Sequence, residues 1–307
     1  MGGALRIAAT VTAGVDGETV MTMPDFFILG APKCGTTALA HWLGEHPQVY
    51  MSAVKEPHYF STDLANRSIT SRERYERLFR EAKPEHLAVG EASTWYLFSR
   101  EAVPNIQREY PNVRYIVMTR DPVEMAESLY YHNVRNLHED QPTFEKAWQL
   151  QGQRSEGKCI PADCVEPAFL QYKAACSLGS QLEELLGMVG KERVLHIALE
   201  DVRTNPQQEY QRVLAFLELP DDGRTRFLPA NEARANRSRL LRRLIRIGGR
   251  ARRVLGIHRG FGLARLNERR LEKGVLSPAF QAELEQAFEG ERQQLRDIAY
   301  RLESGAA

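Results

Sequence analysis

The sequence predicts an α/β protein, with three layers of α/β/α built around a central parallel sheet. Short apolar runs of strand length recur along the first two thirds of the chain. They are continuously apolar rather than alternating, as expected of parallel strands covered on both faces. Most end in Gly or a polar residue and lead into a helix start signal, so strands and helices alternate. Ligands of such sheets bind at the carboxyl ends of the strands, and the polar residues there carry the chemistry.

The first strand is Phe26-Phe27-Ile28-Leu29. It runs into the loop Gly30-Ala31-Pro32-Lys33-Cys34-Gly35-Thr36-Thr37, and an apolar helix follows over Ala38 to Leu43. Strand, glycine-bounded loop and helix start form a phosphate cradle, in which unpaired amides and the positive helix end face an anion. A Walker A loop, G-x-x-x-x-G-K-[ST], places its lysine directly after the second glycine. Here Gly30 and Gly35 keep the Walker spacing, but Thr36 holds the lysine position and Lys33 lies three residues earlier. The architecture is therefore P-loop-like, with a loop suited to something other than the γ-phosphate of ATP.

A second strand spans Val49 to Met51. Leu87-Ala88-Val89-Gly90-Glu91 is a third, ending in Gly and Glu. Tyr115-Ile116-Val117-Met118-Thr119 is a fourth, ending at Arg120. Asp121 as N-cap and Pro122 at the first helical position start a helix over Val123 to Tyr131. Val194 to Leu199 is a fifth strand ending at Glu200-Asp201, and Asn205-Pro206 opens an amphipathic helix through Phe216 and Leu217.

Residues 139–168 hold Pro142, Pro161 and Pro167 with few apolar residues, which predicts an irregular insertion or lid. Between Arg234 and Arg270 thirteen arginines face one acid, Glu268. Leu240, Leu241, Leu244, Ile245 and Ile247 recur there at near-helical spacing, so residues 234–307 read as an Arg-rich helical extension. Such a helix either reads an anionic surface or packs its leucines on the core with its arginines in water. No aromatic interleaving accompanies the arginines, which disfavours nucleic acid.

At 307 residues and net charge +1, the chain can bury a large core, and its charge names no partner. Residues 1–23 lack a clear apolar core and are expected to be disordered, followed by a single domain over 24–307. No apolar run approaches the ~20 residues that span a bilayer. With no signal or transit peptide, the expected location is cytoplasmic, free or peripheral to a membrane. The four cysteines, 34, 159, 164 and 176, form neither a disulfide framework nor a C-x-x-C metal motif, and no metal is expected. Cys34 lies in the phosphate loop without a nearby His and acid pair, so it reads as fitting the turn rather than as a nucleophile.

Two motifs together carry a family resemblance. Ala31-Pro32-Lys33-Cys34-Gly35-Thr36-Thr37 resembles the 5′-phosphosulfate loop of sulfotransferases that use 3′-phosphoadenosine 5′-phosphosulfate (PAPS). Thr119-Arg120-Asp121-Pro122, followed by Ser128 and the Tyr130-Tyr131-His132 ending, resembles their 3′-phosphate motif. Leu195 to Leu219 resembles a further strand-and-helix stretch of the family. The resemblance implies a PAPS-dependent sulfotransferase that leaves 3′-phosphoadenosine 5′-phosphate (PAP) and needs no metal. It implies that Lys33 binds the 5′-phosphosulfate and steadies the bridging oxygen, with Cys34, Gly35, Thr36 and Thr37 lining the same loop. It also implies that Arg120 and Ser128 hold the 3′-phosphate. On the residues alone, Arg120 could equally form an ion pair with an acid such as Asp121. Where small-molecule members carry a Trp after the Thr-Thr pair, this chain has Ala38, so the adenine is held differently.

Lys55-Glu56-Pro57-His58-Tyr59-Phe60 resembles the Glu-x-His-[Phe/Tyr]-Phe segment of carbohydrate sulfotransferases of the heparan type. The resemblance makes Glu56 the base, with His58 as helper or alternative base. The alternative is that Glu56 only pairs with Lys55 or caps a turn, and that His58 is a loop histidine. Gly90-Glu91-Ala92-Ser93-Thr94-Trp95-Tyr96 resembles the acceptor-side stretch of the same group, with Ala92 in place of its lysine and Thr94 in place of its proline. The expected acceptor group is a hydroxyl or an amine, first of a carbohydrate or glycolipid, then of a small-molecule or natural-product alcohol or phenol. A non-catalytic nucleotide-binding docking module is the reading from another class. The oligomeric state stays open.

Overall fold

The computed structural model describes residues 23–228 and 274–304, together with the backbone of Arg234–Asn236 and Glu268–Arg270. Five parallel strands form the sheet: β1 (Phe26–Gly30), β2 (Val49–Met51), β3 (Ala88–Ala92), β4 (Arg114–Thr119) and β5 (Val194–Ala198), in the order β2-β3-β1-β4-β5. Every residue of β1 and β3 is buried, which explains the unbroken apolar run of β1; β3 also buries a charged residue, Glu91. The prediction of a central parallel sheet holds, with each strand within a residue or so of its expected bounds.

Helices follow the strands: α1 (Thr36–Gly44), α2 (Arg72–Glu76), α3 (Ala102–Glu109), α4 (Pro122–Arg135), α5 (Phe144–Gln149), α6 (Gln151–Ser155), α7 (Tyr172–Ala175), α8 (Leu178–Val189), α9 (Leu199–Thr204), α10 (Pro206–Phe216) and α11 (Pro278–Ser304). The expected caps are in place. Asp121 accepts the Glu124 amide at 3.0 Å, with Pro122 opening α4. Asn205 accepts that of Gln208 at 3.3 Å at the start of α10.

The described chain falls into two compact units. One comprises residues 23–120, 178–228 and 291–304 and contains the whole five-stranded sheet. Here β1 lies between β3 and β4, and the chain leaves β1 toward one edge and β4 toward the other. The carboxyl ends of β1 and β4 therefore form a topological switch point.

The other unit comprises 121–177, 274–290 and the antiparallel pair β6 (Arg234–Asn236) and β7 (Glu268–Arg270). The stretch 139–168, expected to be irregular, mixes turns with α5 and α6, and has its own core. Phe144 stacks on Tyr130 and meets Tyr172 and Phe280 edge-on. Beneath them Arg154 and Glu139, neither with any exposed side-chain surface, form a bidentate pair with both bonds at 2.7 Å. The Tyr172 hydroxyl donates to Glu139 at 2.7 Å, and the amides of Asp140 and Gln141 donate at 2.9 and 3.0 Å. Apart from the β6 and β7 backbone, the arginine-rich stretch 234–270 lies outside the described residues. The helical C-terminal region seen is α11.

Candidate functional site

The phosphate loop is fixed by its two glycines. Gly30 has φ +142, and a Cβ there would stand 2.4 Å from the Thr94 carbonyl oxygen. Gly35 caps α1 with φ +90, in the left-handed region where a side chain is strained. The chain then enters α1 with no side-chain cap and no acid in its first turn. The first amides of a helix have no intrahelical acceptor, so this turn presents donors and the positive end of the dipole. Lys33, half-buried with φ +68, precedes Gly35 in the same loop. Thr36 is buried and Thr37 half-buried.

Cys34 is fully buried and its thiol donates to the Pro32 carbonyl at 3.5 Å. Burial pushes that thiol far above its ordinary range, and the nearby Arg120 charge offsets this only in part. The neutral, enclosed sulfur is a packing group, so only the Cys34 backbone remains to line a ligand.

Arg120 leaves the end of β4 and reaches the loop, its Nη1 at 3.5 Å from the Lys33 carbonyl. The structure thus brings two of the sequence-predicted phosphate contacts to one place, at the switch point. Below them Thr119 Oγ1 and His196 Nε2 lie 2.7 Å apart across β4 and β5. Burial, and secondarily the Arg212 charge, lowers His196 to about 4, leaving the ring neutral. Ser128 is half-buried on α4, in the other unit. These donors suit a phosphorylated nucleotide: uncapped amides and cations, with no carboxylate in the helix's first turn.

The candidate base follows β2. The Glu56 amide donates to the Ala92 carbonyl at the end of β3, at 2.9 Å. Ala92 is in register with Ile28 of β1, so the base segment and the phosphate loop both spring from the same end of the sheet. Glu56 and His58 each have positive φ, 60° and 51°. Lys55 Nζ lies 2.5 Å from Glu56 Oε1, and His58 Nε2 lies 3.7 Å from Oε2. Burial would raise the Glu56 carboxyl, but His58 and the Lys55 charge outweigh it and bring it down to about 2. His58 is 4% exposed, and its Nδ1 has no hydrogen-bond partner among the described residues.

One group is placed differently from the family-based expectation. Glu91, Ser93, Trp95 and Tyr96 belong to a stretch resembling an acceptor-side segment, yet all four are buried. Glu91 accepts from Ser93 Oγ at 2.6 Å and from the Tyr75 and Tyr96 hydroxyls at 3.0 Å each. Nothing in the local sequence marks Glu91 as internal, because one of its donors, Tyr75, comes from α2.

This fold and loop define a class, the α/β proteins that cradle a phosphorylated nucleotide at the end of β1 with the lysine inside the loop. A family model described as Sulfotransferase domain matches residues 23–227, and the chain belongs to that family. A solved sulfotransferase from Alicyclobacillus acidocaldarius is 30% identical with a TM-score of 0.60, covering 79% of this chain and 99% of that one. Human carbohydrate sulfotransferase 15 is 27% identical over 246 residues, covering 64% of this chain and 44% of the relative. Membrane-associated sulfotransferase kil1 of Dictyostelium discoideum is 29% identical over 138 residues, 44% of this chain and 28% of the relative. The chain thus spans less than half the length of these two relatives.

These relatives also correct one expectation. A cytoplasmic location, inferred from missing targeting signals, is not upheld, since a similar protein is named as membrane-associated. Among the described residues no helix is long and apolar enough to cross a membrane, which says nothing about surface association.

Proposed function

We propose that this chain transfers the sulfuryl group of PAPS to a hydroxyl of a carbohydrate or glycolipid acceptor. The observation that carries the reading is the junction of the Lys33 loop, the uncapped start of α1 and the Arg120 guanidinium. PAPS, the donor used across this family, supplies the sulfuryl group and a phosphate leaving group. Lys33 and the amides of Gly35, Thr36 and Thr37 would hold the 5′-phosphosulfate end, where negative charge grows as the S–O bond breaks. Arg120 and Ser128 would hold the 3′-phosphate, Arg by its two-pronged geometry.

Glu56 takes the acceptor's proton as that oxygen bonds to sulfur. A carboxylate this acidic is a weak base while Lys55 holds it, because base strength peaks when the pKa lies near the working pH. The acceptor hydroxyl has to replace Lys55 at Oε1, and His58 then shares the charge from Oε2. The carbohydrate class rests on the Glu56-Pro57-His58 segment and on the carbohydrate sulfotransferase among the relatives. Buried Ala92, where the related stretch carries lysine, favours a second reading with a small-molecule alcohol or phenol.

The test is turnover of labelled PAPS against a panel of glycans, glycolipids, alcohols and phenols. Glu56→Gln is expected to lower kcat by about a thousandfold while PAP affinity stays near parental. Turnover that survives Glu56→Gln and disappears in His58→Ala would exchange the two roles.

A further inference from the structure

Two left-handed residues, Glu56 and His58, flank Pro57, and neither is glycine, although such backbone is strained unless its surroundings enforce it. The enforcing groups are visible. The His58 amide donates to Ser93 Oγ at 3.1 Å, and the Phe60 amide donates to the Tyr96 hydroxyl at 3.2 Å. Both acceptors themselves donate to one carboxylate, Glu91, which has no exposed surface. A third hydroxyl, from Tyr75, completes its shell.

The relay has a polarity. Above about pH 7, where its buried carboxyl is ionised, Glu91 only accepts, so it draws all three hydroxyl protons toward itself. Each hydroxyl then turns an oxygen lone pair outward, and in Ser93 and Tyr96 that lone pair meets a backbone N–H of the base segment. Rings close the sides: Tyr59 stacks on Tyr75 at 4.4 Å, and Tyr96 meets His58 edge-on at 6.0 Å. Elsewhere the segment is tied by Ser68, whose hydroxyl donates to the Glu56 carbonyl at 3.1 Å.

We infer that Glu91 is a positioning residue, which through the Ser93 and Tyr96 hydroxyls holds the Glu56–His58 turn in its strained, base-presenting form. The inference rests on the reading of Glu56 as the base. It assigns Glu91 and Ser93 no contact with the acceptor.

Amide hydrogen exchange on the intact protein at pH 8, where Glu91 is ionised, tests the relay without an acceptor. Ser93→Ala removes one lone pair from a small buried site. It is expected to speed exchange at the His58 amide by about tenfold, the loss of one buried hydrogen bond, with the phosphate loop unchanged. Ser93→Thr, which keeps the hydroxyl, is expected to restore protection. Turnover of labelled PAPS on desulfated heparin, counted per PAP-binding site, is expected to fall in Ser93→Ala through kcat with KM for PAPS unmoved. Merely structural damage would instead lower PAP-binding sites and turnover together, and that result, like a His58 amide still fully protected in Ser93→Ala, overturns the inference. Glu56→Gln run in parallel separates the two failures. If it keeps parental turnover, the base assignment falls while the exchange result stands.

Discussion

At the scale of single residues, the phosphate loop depends on backbone shape as much as on charge. Gly35 sits where an added Cβ would meet Leu199 Cδ1 at 2.8 Å, a flexible tip that can yield, so its backbone conformation is the larger constraint. Gly35→Ala is expected to cost about 1–2 kcal/mol of stability in chemical denaturation and to weaken PAP binding, because the first α1 amides are re-aimed. Lys33→Ala should leave stability nearly unchanged while lowering PAP affinity by about thirtyfold or more, the worth of a charge-assisted bond, by calorimetry. This contrast between two neighbours was legible in the sequence. The Gly-x-x-x-x-Gly spacing fixes the turn, and the displaced Lys33 marks the ligand. The internal role of Glu91 was not legible, because a Gly-Glu strand end reads the same whether the acid faces solvent or a tyrosine from α2.

At the scale of elements, strands and caps were readable because each is set by neighbours in sequence. Asp121-Pro122 starts α4 and Asn205-Pro206 starts α10 by local hydrogen bonding alone. The stretch 139–168 was not readable in the same way. Beneath its rings it buries the pair Arg154 and Glu139, fifteen positions apart in mixed polar sequence, and no periodicity announces that such a pair will be buried. Burial would raise the Glu139 carboxyl, but Arg154, the amides and Tyr172 hold it below the usual range. Arg154→Met strands that charge and is expected to cost about 3–5 kcal/mol in urea denaturation. Adding Glu139→Gln removes the charge but keeps an acceptor for the amides and Tyr172, and should recover part of the loss. A double variant less stable than Arg154→Met alone would contradict the argument.

At the scale of the whole molecule, buried titratable groups among the described residues shape the pH response. Burial raises both Glu91 and Asp25 to about 7, despite their hydrogen-bond donors. From about pH 4 to 7 the folded protein therefore keeps two protons that the unfolded chain releases, and stability falls as pH rises. His196, lowered to about 4, acts in the opposite sense over nearly the same window, since only the unfolded chain protonates it below about 6.5. Glu209, also raised by burial, adds to Glu91 and Asp25, so the net is a decline toward neutrality. The thermal midpoint is expected to be higher near pH 5.5 than near pH 8, and Glu91→Gln should flatten that difference. Below about pH 4 the depressed Glu56 and Glu139 reverse the trend, as acids ionised in the folded state are forced to protonate.

The central claim is that the junction of the Lys33 loop and Arg120 recognises a nucleotide phosphorylated at both its 5′ and 3′ positions. Calorimetric titration with PAP and with adenosine 5′-phosphate, each in EDTA, tests it most directly. The account predicts that PAP binds at least about tenfold more tightly, the difference being one phosphate met by charged donors, and that EDTA leaves its affinity unchanged. Equal affinity for the two nucleotides, or tighter binding of ATP than of PAP in a parallel titration with magnesium in place of EDTA, would contradict it.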